Sequence, residues 1–283
     1  MSCVSQSSQV YLAIFLLACG SLFGKWIIIS STLTIFVRGL LALPLIFLII
    51  KGWSLSFTIQ KKHYIPLFIS GVGLCVHWVG FFESIQQSNV ATGVLLYLTF
   101  PCITSLLDPF FSNKRLSMHT VFEGLLIILG VSIISYQSDL VFSSFSVFFW
   151  GVFSALGFSI RNLISKYYLS EYPAFVLMFF QILTVVLLLS VEVKHLHTIP
   201  DTEWIKLVIL VIGFTVISHT LYLHVITTFS VTTVSLLTGL EPVIAIFLSW
   251  LLLGEVPSLY IYLGSVPILA VVFYESFRLK VSS

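Results

Sequence analysis

Apolar runs long enough to cross a bilayer recur along this chain, separated by breaks of only a few polar residues. Ten can be drawn, at about 10–29, 33–50, 64–84, 90–111, 119–136, 145–165, 173–191, 204–224, 231–253 and 258–275. A helix needs roughly 20 mostly apolar residues to span hydrocarbon, and each run is of that order. One run carries an anomaly. From Leu240 to Glu255 it is apolar, except that Glu241 and Pro242 sit near the middle of the span and Gly254-Glu255 closes it. A proline inside a helix removes one donor and crowds the carbonyl four residues back. In hydrocarbon a freed group must meet protein or line a cavity.

Composition turns the pattern into a class. Of 283 residues, 58% are hydrophobic and 8% charged, with a mean hydropathy of +1.11. Soluble domains carry about 25% charged residues, so the expectation is an all-α integral membrane protein with no separate soluble domain. The net charge of +2 says nothing of nucleic acid, because the lysines and arginines are scattered among loops, and no nucleic-acid partner is expected. Leu16-Leu17-Ala18-Cys19 resembles a lipoprotein signal, but no Lys or Arg precedes Lys25; the positive leader is missing, and the stretch reads as the first span. The four cysteines, Cys3, Cys19, Cys75 and Cys102, have no metal-ligand spacing. No cofactor or metal motif is expected.

Charge sets the orientation. With a cytoplasmic N-terminus, Lys51, Lys61, Lys62, Lys114, Arg115, Arg161, Lys166, Arg278 and Lys280 fall inside, against Lys25, Lys194 and Lys206 outside; Arg38 lies within the second span. Both termini are therefore expected in the cytoplasm. A shift of 141 positions lays Pro101 over Pro242, the stretch 88–101 over 229–242, and Leu116-Ser117 over Pro257-Ser258. Two halves follow, residues 1–139 and 140–283, each of five spans. An odd number inverts the second half relative to the first, and inverted repeats hold their site near the midplane between them.

The motif Leu240-Glu241-Pro242, Trp250 and Leu253-Gly254-Glu255, with Gly264 in the next span, resembles the second repeat of EamA-type transporters of the drug/metabolite transporter superfamily. Pro101 and the Gly124–Gly130 span are similar to the matching first repeat, and Arg38 stands where many members carry an arginine. Where the first repeat often ends in Gly-Glu, this chain has Asn113-Lys114. The resemblance implies ten transmembrane helices as two inverted five-helix repeats in the cytoplasmic (inner) membrane. It also implies alternating access for a small organic metabolite, with amino-acid-like solutes first and S-adenosylmethionine or a nucleotide-linked metabolite second. A coupling proton or an exchanged solute would drive it.

Ionisable groups in hydrocarbon are costly and face the bundle interior, and they nominate the site. Substrate contact is expected from Arg38, His77, Trp78, Tyr97, His219 and Tyr222. In the 141-residue register Trp78 lies over His219. Gating or coupling is expected from Pro101, Glu241 and Pro242. Arg38 either pairs with an acid group of the solute or holds a protein carboxylate such as Glu83. Glu83, Asp108, Glu123, Arg161 and His224 lie near span ends, and for most of them a solvated or structural role is expected. Gly20 and Gly24, like Gly71, Gly73 and Gly80, read as close-packing positions. Two other classes stay open, an intramembrane enzyme and a non-transporting scaffold. His219 and His224, five apart and about 140° around a helix, do not make a catalytic pair.

Overall fold

The computed structural model describes residues 6–112, 118–135, 143–229, 234 and 237–282, and among them no strand occurs. The chain runs α1 (Gln6–Ser21), α2 (Phe23–Trp26), α3 (Ser31–Gly52), α4 (Tyr64–Gln86), α5 (Val90–Tyr97), α6 (Phe100–Ser112), α7 (Met118–Ser135), α8 (Ser143–Tyr168), α9 (Ala174–Leu188), α10 (Asp201–Val211), α11 (Ser218–Thr228), α12 (Glu241–Leu253) and α13 (Leu259–Ser282). Six helical stretches among the described residues are long and apolar enough to cross a membrane, and a seventh counts if α9 and the 3₁₀ segment Ser190–Thr198, bent by 74°, form one span. Shorter apolar helices cover Val121–Gly130, Thr238–Leu253 and Leu259–Val271. Within the described residues, each of the ten apolar runs thus overlaps helix. A count of ten spans does not follow, because three of these helices are too short within the described residues. Asn113, Lys114, Arg115, Leu116 and Ser117, and most of 229–236, lie outside the description.

The helix ends follow local chemistry. Ser30 caps α3 by accepting from the Leu33 amide, and Asn89 caps α5 by accepting from that of Thr92. Gly254 ends α12 at φ +70°, a left-handed geometry that favours glycine. The next residue, Glu255, turns back to accept from the Val90 amide at 3.0 Å, at the first turn of α5. A carboxylate there meets the positive end of the helix. The Gly-Glu ending of the motif is thereby a structural clasp between two segments far apart in sequence.

Close approach is what glycine supplies. A Cβ on Gly73 would stand 2.7 Å from the Gly157 carbonyl oxygen, and one on Gly157 would stand 2.7 Å from that of Gly73. α4 and α8 therefore touch backbone to backbone, and Gly80 meets the Trp150 carbonyl in the same way. Gly20 and Gly24 lie against Phe214 and Ile85, and Gly71 against Thr184, so the packing role expected of them holds. Gly130 of α7 lies against the Gly264 carbonyl of α13, joining the two glycine spans.

Hydrogen bonds tie both ends of the bundle. At one, Lys206 Nζ donates to the Trp26 carbonyl and pairs with Glu203, whose Oε2 accepts from the Ile28 amide; Lys25 reaches the Ser88 carbonyl and Gln86 the Ile29 carbonyl. At the other, the Tyr172 hydroxyl meets His63 Nδ1 and the Gln60 amide, Tyr167 donates to Asp108, and Lys166 to the Thr227 carbonyl.

Candidate functional site

Two helix breaks frame the middle of the bundle. α5 ends at Tyr97, and α6 begins at Phe100 with Pro101 in second place; a 3₁₀ turn Thr238–Leu240 precedes α12, which begins at Glu241 with Pro242 in second place. Both prolines thus stand at the start of a new helix, where the missing N–H costs no intrahelical bond. Each marks a local change of hydrogen bonding inside a stretch that stays helical, Val90–Ser112 and Thr238–Leu253. The kinkable positions are elsewhere: Pro44, Pro109 and Pro267 are the prolines inside helices.

Between the breaks lies a cavity of about 20 Å³, room for about one water. It is lined by Arg38, His77, Trp78, Tyr97, His219 and Glu241, together with Leu17, Gly20, Ser21, Phe81, Phe82, Phe158 and Phe214. Five of the six expected contact residues are therefore brought together with Glu241. Tyr222 is buried one ring further out, stacked on Phe158 at 5.2 Å with its hydroxyl accepting from Asn162. Pro101 and Pro242 are buried but do not line the cavity.

Arg38 is held from two sides. Its Nε donates to Thr215 Oγ1 at 2.7 Å and its Nη2 to the Phe214 carbonyl at 3.3 Å, while the guanidinium lies 4.1 Å from the Trp78 ring centre. Those acceptors exist because residues Ile212–Ile217 form a π turn between α10 and α11. In that wider turn Thr215 donates to the Leu210 carbonyl five residues back, leaving its oxygen to accept from Arg38. π bulges recur at functional sites. Glu83 is not its partner; that carboxylate accepts from Gln87.

His77 Nδ1 lies 2.9 Å from Ser154 Oγ, which donates its one proton to the His77 carbonyl. Ser154 must then accept from the ring, so Nδ1 carries the proton and Nε2 the lone pair when the ring is neutral. Phe81, Tyr97 and Phe158 surround this imidazole at 5.7, 4.9 and 4.4 Å. Trp78 and His219, paired by the 141-residue shift, meet edge to face at 5.1 Å.

Among the described residues, three buried polar atoms of the lining have no partner: Trp78 Nε1, His219 Nδ1 and Glu241 Oε2. Glu241 Oε1 lies 3.3 Å from Ser21 Oγ, which also lies 3.3 Å from the Leu17 carbonyl. A hydroxyl has one proton. Both interactions are made together when Glu241 is protonated and donates to Ser21.

Arg161 departs from the loop-facing position expected of it. It is fully buried on α8, where Nε donates to Gln181 Oε1 at 2.9 Å and the guanidinium lies 5.7 Å from the Phe158 ring centre. Gln181 extends the network to Ser70 and Ser165. Glu123 is buried as well; Glu83 and Asp108 are half-buried and His224 is exposed, which separates His224 from the buried His219. Cys19, Cys75 and Cys102 are free thiols, and no metal-binding group of His, Cys, Asp and Glu occurs among the described residues.

The EamA-like transporter family matches residues 8–136 and again 145–276. The chain belongs to this family. It is 26% identical to the uncharacterized transporter YxxF of Bacillus subtilis (strain 168) over 218 residues, 75% of this chain and 69% of that one. Identity to the uncharacterized transporter YoaV of the same organism is 23% over 252 residues, 83% of each. One solved crystal structure of a protein matches 98% of this chain and 99% of its own at a TM-score of 0.72 and 15% identity; that likeness carries the fold. The protein is a multi-pass membrane protein of a transporter family, which sets it among carriers of small-molecule solutes working in lipid.

Proposed function

We propose that this EamA-family protein is a secondary transporter that moves a small organic metabolite across the cytoplasmic membrane by alternating access. Its ten helices form two inverted five-helix repeats, residues 1–139 and 140–283, with both termini cytoplasmic. The double family match, the helix breaks at Phe100-Pro101 and Glu241-Pro242, and the Trp78–His219 contact at equivalent positions support the repeat reading.

One observation carries the proposal: a cavity whose lining leaves three buried polar atoms without partners among the described residues. Unpaired buried polar groups cost about 1–3 kcal/mol each, and a solute that pairs with them recovers that energy. At its present size the cavity admits about one water, so it must widen to take the solute, which enters when one end network opens. Arg38, His77, Trp78, Tyr97 and His219 contact the solute, with Tyr222 supporting the aromatic wall. A carboxylate-bearing metabolite, amino-acid-like solutes among them, matches the Arg38 fork. Glu241 couples the cycle by gaining and losing the proton it shares with Ser21, and Pro101 and Pro242 set the breaks about which the helices move.

Purified protein in liposomes tests this. Saturable flux of a metabolite, accelerated by the same solute on the opposite side, is the expected result. Chemical turnover without flux would favour the intramembrane enzyme, and neither activity would favour the scaffold.

A further inference from the structure

We infer that the solute is an organic anion with a flat or apolar body, drawn to a site with an excess of buried positive charge. The inference rests on the transport reading of the cavity and narrows it. Arg38 and Arg161 are both buried, and neither has a carboxylate partner among the described residues. Arg38 lines the cavity, and Arg161 stands behind Phe158, which lines it too. Guanidinium stays charged in proteins. Against these two cations the cavity lining offers one carboxyl group, Glu241, whose contact is Ser21. With Glu241 ionised one positive charge is in excess; with it protonated, two.

Hydrogen-bond capacity leans the same way. Two bonds use the Nε and one Nη2 donor of Arg38, leaving three of its five N–H groups. Those on the Nη1/Nη2 edge make the fork that a carboxylate accepts from bidentately. Trp78 Nε1, a donor only, is the unpartnered group on the ring that stacks on that guanidinium. The lining also holds acceptors, the His77 Nε2 lone pair and Glu241 Oε2; the donors of Arg38 and Trp78, set in excess positive charge, are the part of it that recognises an oxygen-rich anion. The body of the solute meets Phe81, Phe82, Tyr97, Phe158 and Phe214. S-adenosylmethionine, with a cationic sulfonium, fits this balance poorly. A zwitterion can place its ammonium on Glu241 but leaves the excess uncompensated.

Solutes matched in shape and differing in charge test the inference on the full-length protein in detergent and in liposomes. Phenylpyruvate, phenylalanine and phenethylamine form one set; indole-3-acetate, tryptophan and tryptamine form the other. The expected result is that at least one anion raises the thermal unfolding midpoint, binding at least tenfold more tightly than its zwitterionic and cationic counterparts. Arg161→Gln should weaken that binding at least tenfold and Arg161→Lys should retain most of it; Arg38→Lys should keep the charge preference while loosening the fit. Equal or tighter binding of a zwitterion or an amine, or no response to either anion, overturns the anion assignment. Counterflow is read separately. Flux of any metabolite without anion preference leaves transport standing and removes the anion, whereas anion binding without flux does the reverse.

Discussion

The two helix breaks share a backbone and differ in chemistry. α6 and α12 each open with a proline in second place, 141 residues apart, in the middle of the bundle. Yet α6 begins with Phe100, fully buried, stacked on Tyr97 at 4.9 Å and edge-on to Phe158 at 5.0 Å. α12 begins with Glu241, which faces the cavity and meets Ser21. One crossing is finished with an aromatic plug and the other with a carboxyl group. On the transport reading proposed above, the first supplies aromatic wall and the second a carboxyl group that faces the cavity.

The harshest way to break that contrast is to write the second chemistry into the first. Phe100→Glu places a carboxyl among aromatic rings with no cationic partner, a change expected to cost about 3–5 kcal/mol, so the unfolding midpoint in detergent should fall steeply. An unchanged midpoint would mean that the first break tolerates charge as the second does. Overpacking the α4–α8 contact with Gly157→Val is expected to cost about 1–3 kcal/mol, since the new Cβ would press on the Gly73 carbonyl; expression and thermal stability report it. Glu241→Gln should change stability by less than about 1 kcal/mol, because an amide keeps a contact to Ser21, while solute flux falls at least tenfold and loses its dependence on pH. If that variant transports with its pH profile intact, the second break is structural like the first. The smallest effect is expected from Pro101→Ala and Pro242→Ala. Both sit where proline costs no helical bond, so each should shift stability by roughly 1 kcal/mol or less, and by similar amounts. Markedly unequal shifts would show that the two breaks are not equivalent.

Much of the frame was legible before any coordinates. Apolar runs overlapped every described α-helix, because hydrocarbon demands about the same length from each span. The cluster of Arg38, His77, Trp78, Tyr97, His219 and Glu241 was nominated for a related reason: polar groups are too costly to face lipid, and Arg38, though only about five residues into its predicted span, lines the same cavity. The rule failed where depth was judged from distance to a predicted end. Arg161, placed with the loop cations, is buried, because α8 continues to Tyr168; the Gln181 that supports it carries no sequence signal of its own. The Gly254-Glu255 ending gave no hint that Glu255 would cap α5. Nor did an unbroken apolar run reveal the π turn at Ile212–Ile217, since a widened turn needs no special residue and arises from how Thr215 bonds Leu210 and Arg38.

By itself, then, the sequence determined the solvent of this protein, its helices, its family and the short roster of polar residues that lipid would not accept. Tertiary structure decided which of those residues share a cavity, which are satisfied within protein, and which keep an open hydrogen bond. The division has a physical cause. Burial in hydrocarbon is a property of each residue type and can be read one position at a time, whereas hydrogen-bond satisfaction and charge balance depend on neighbours that only the packed chain supplies.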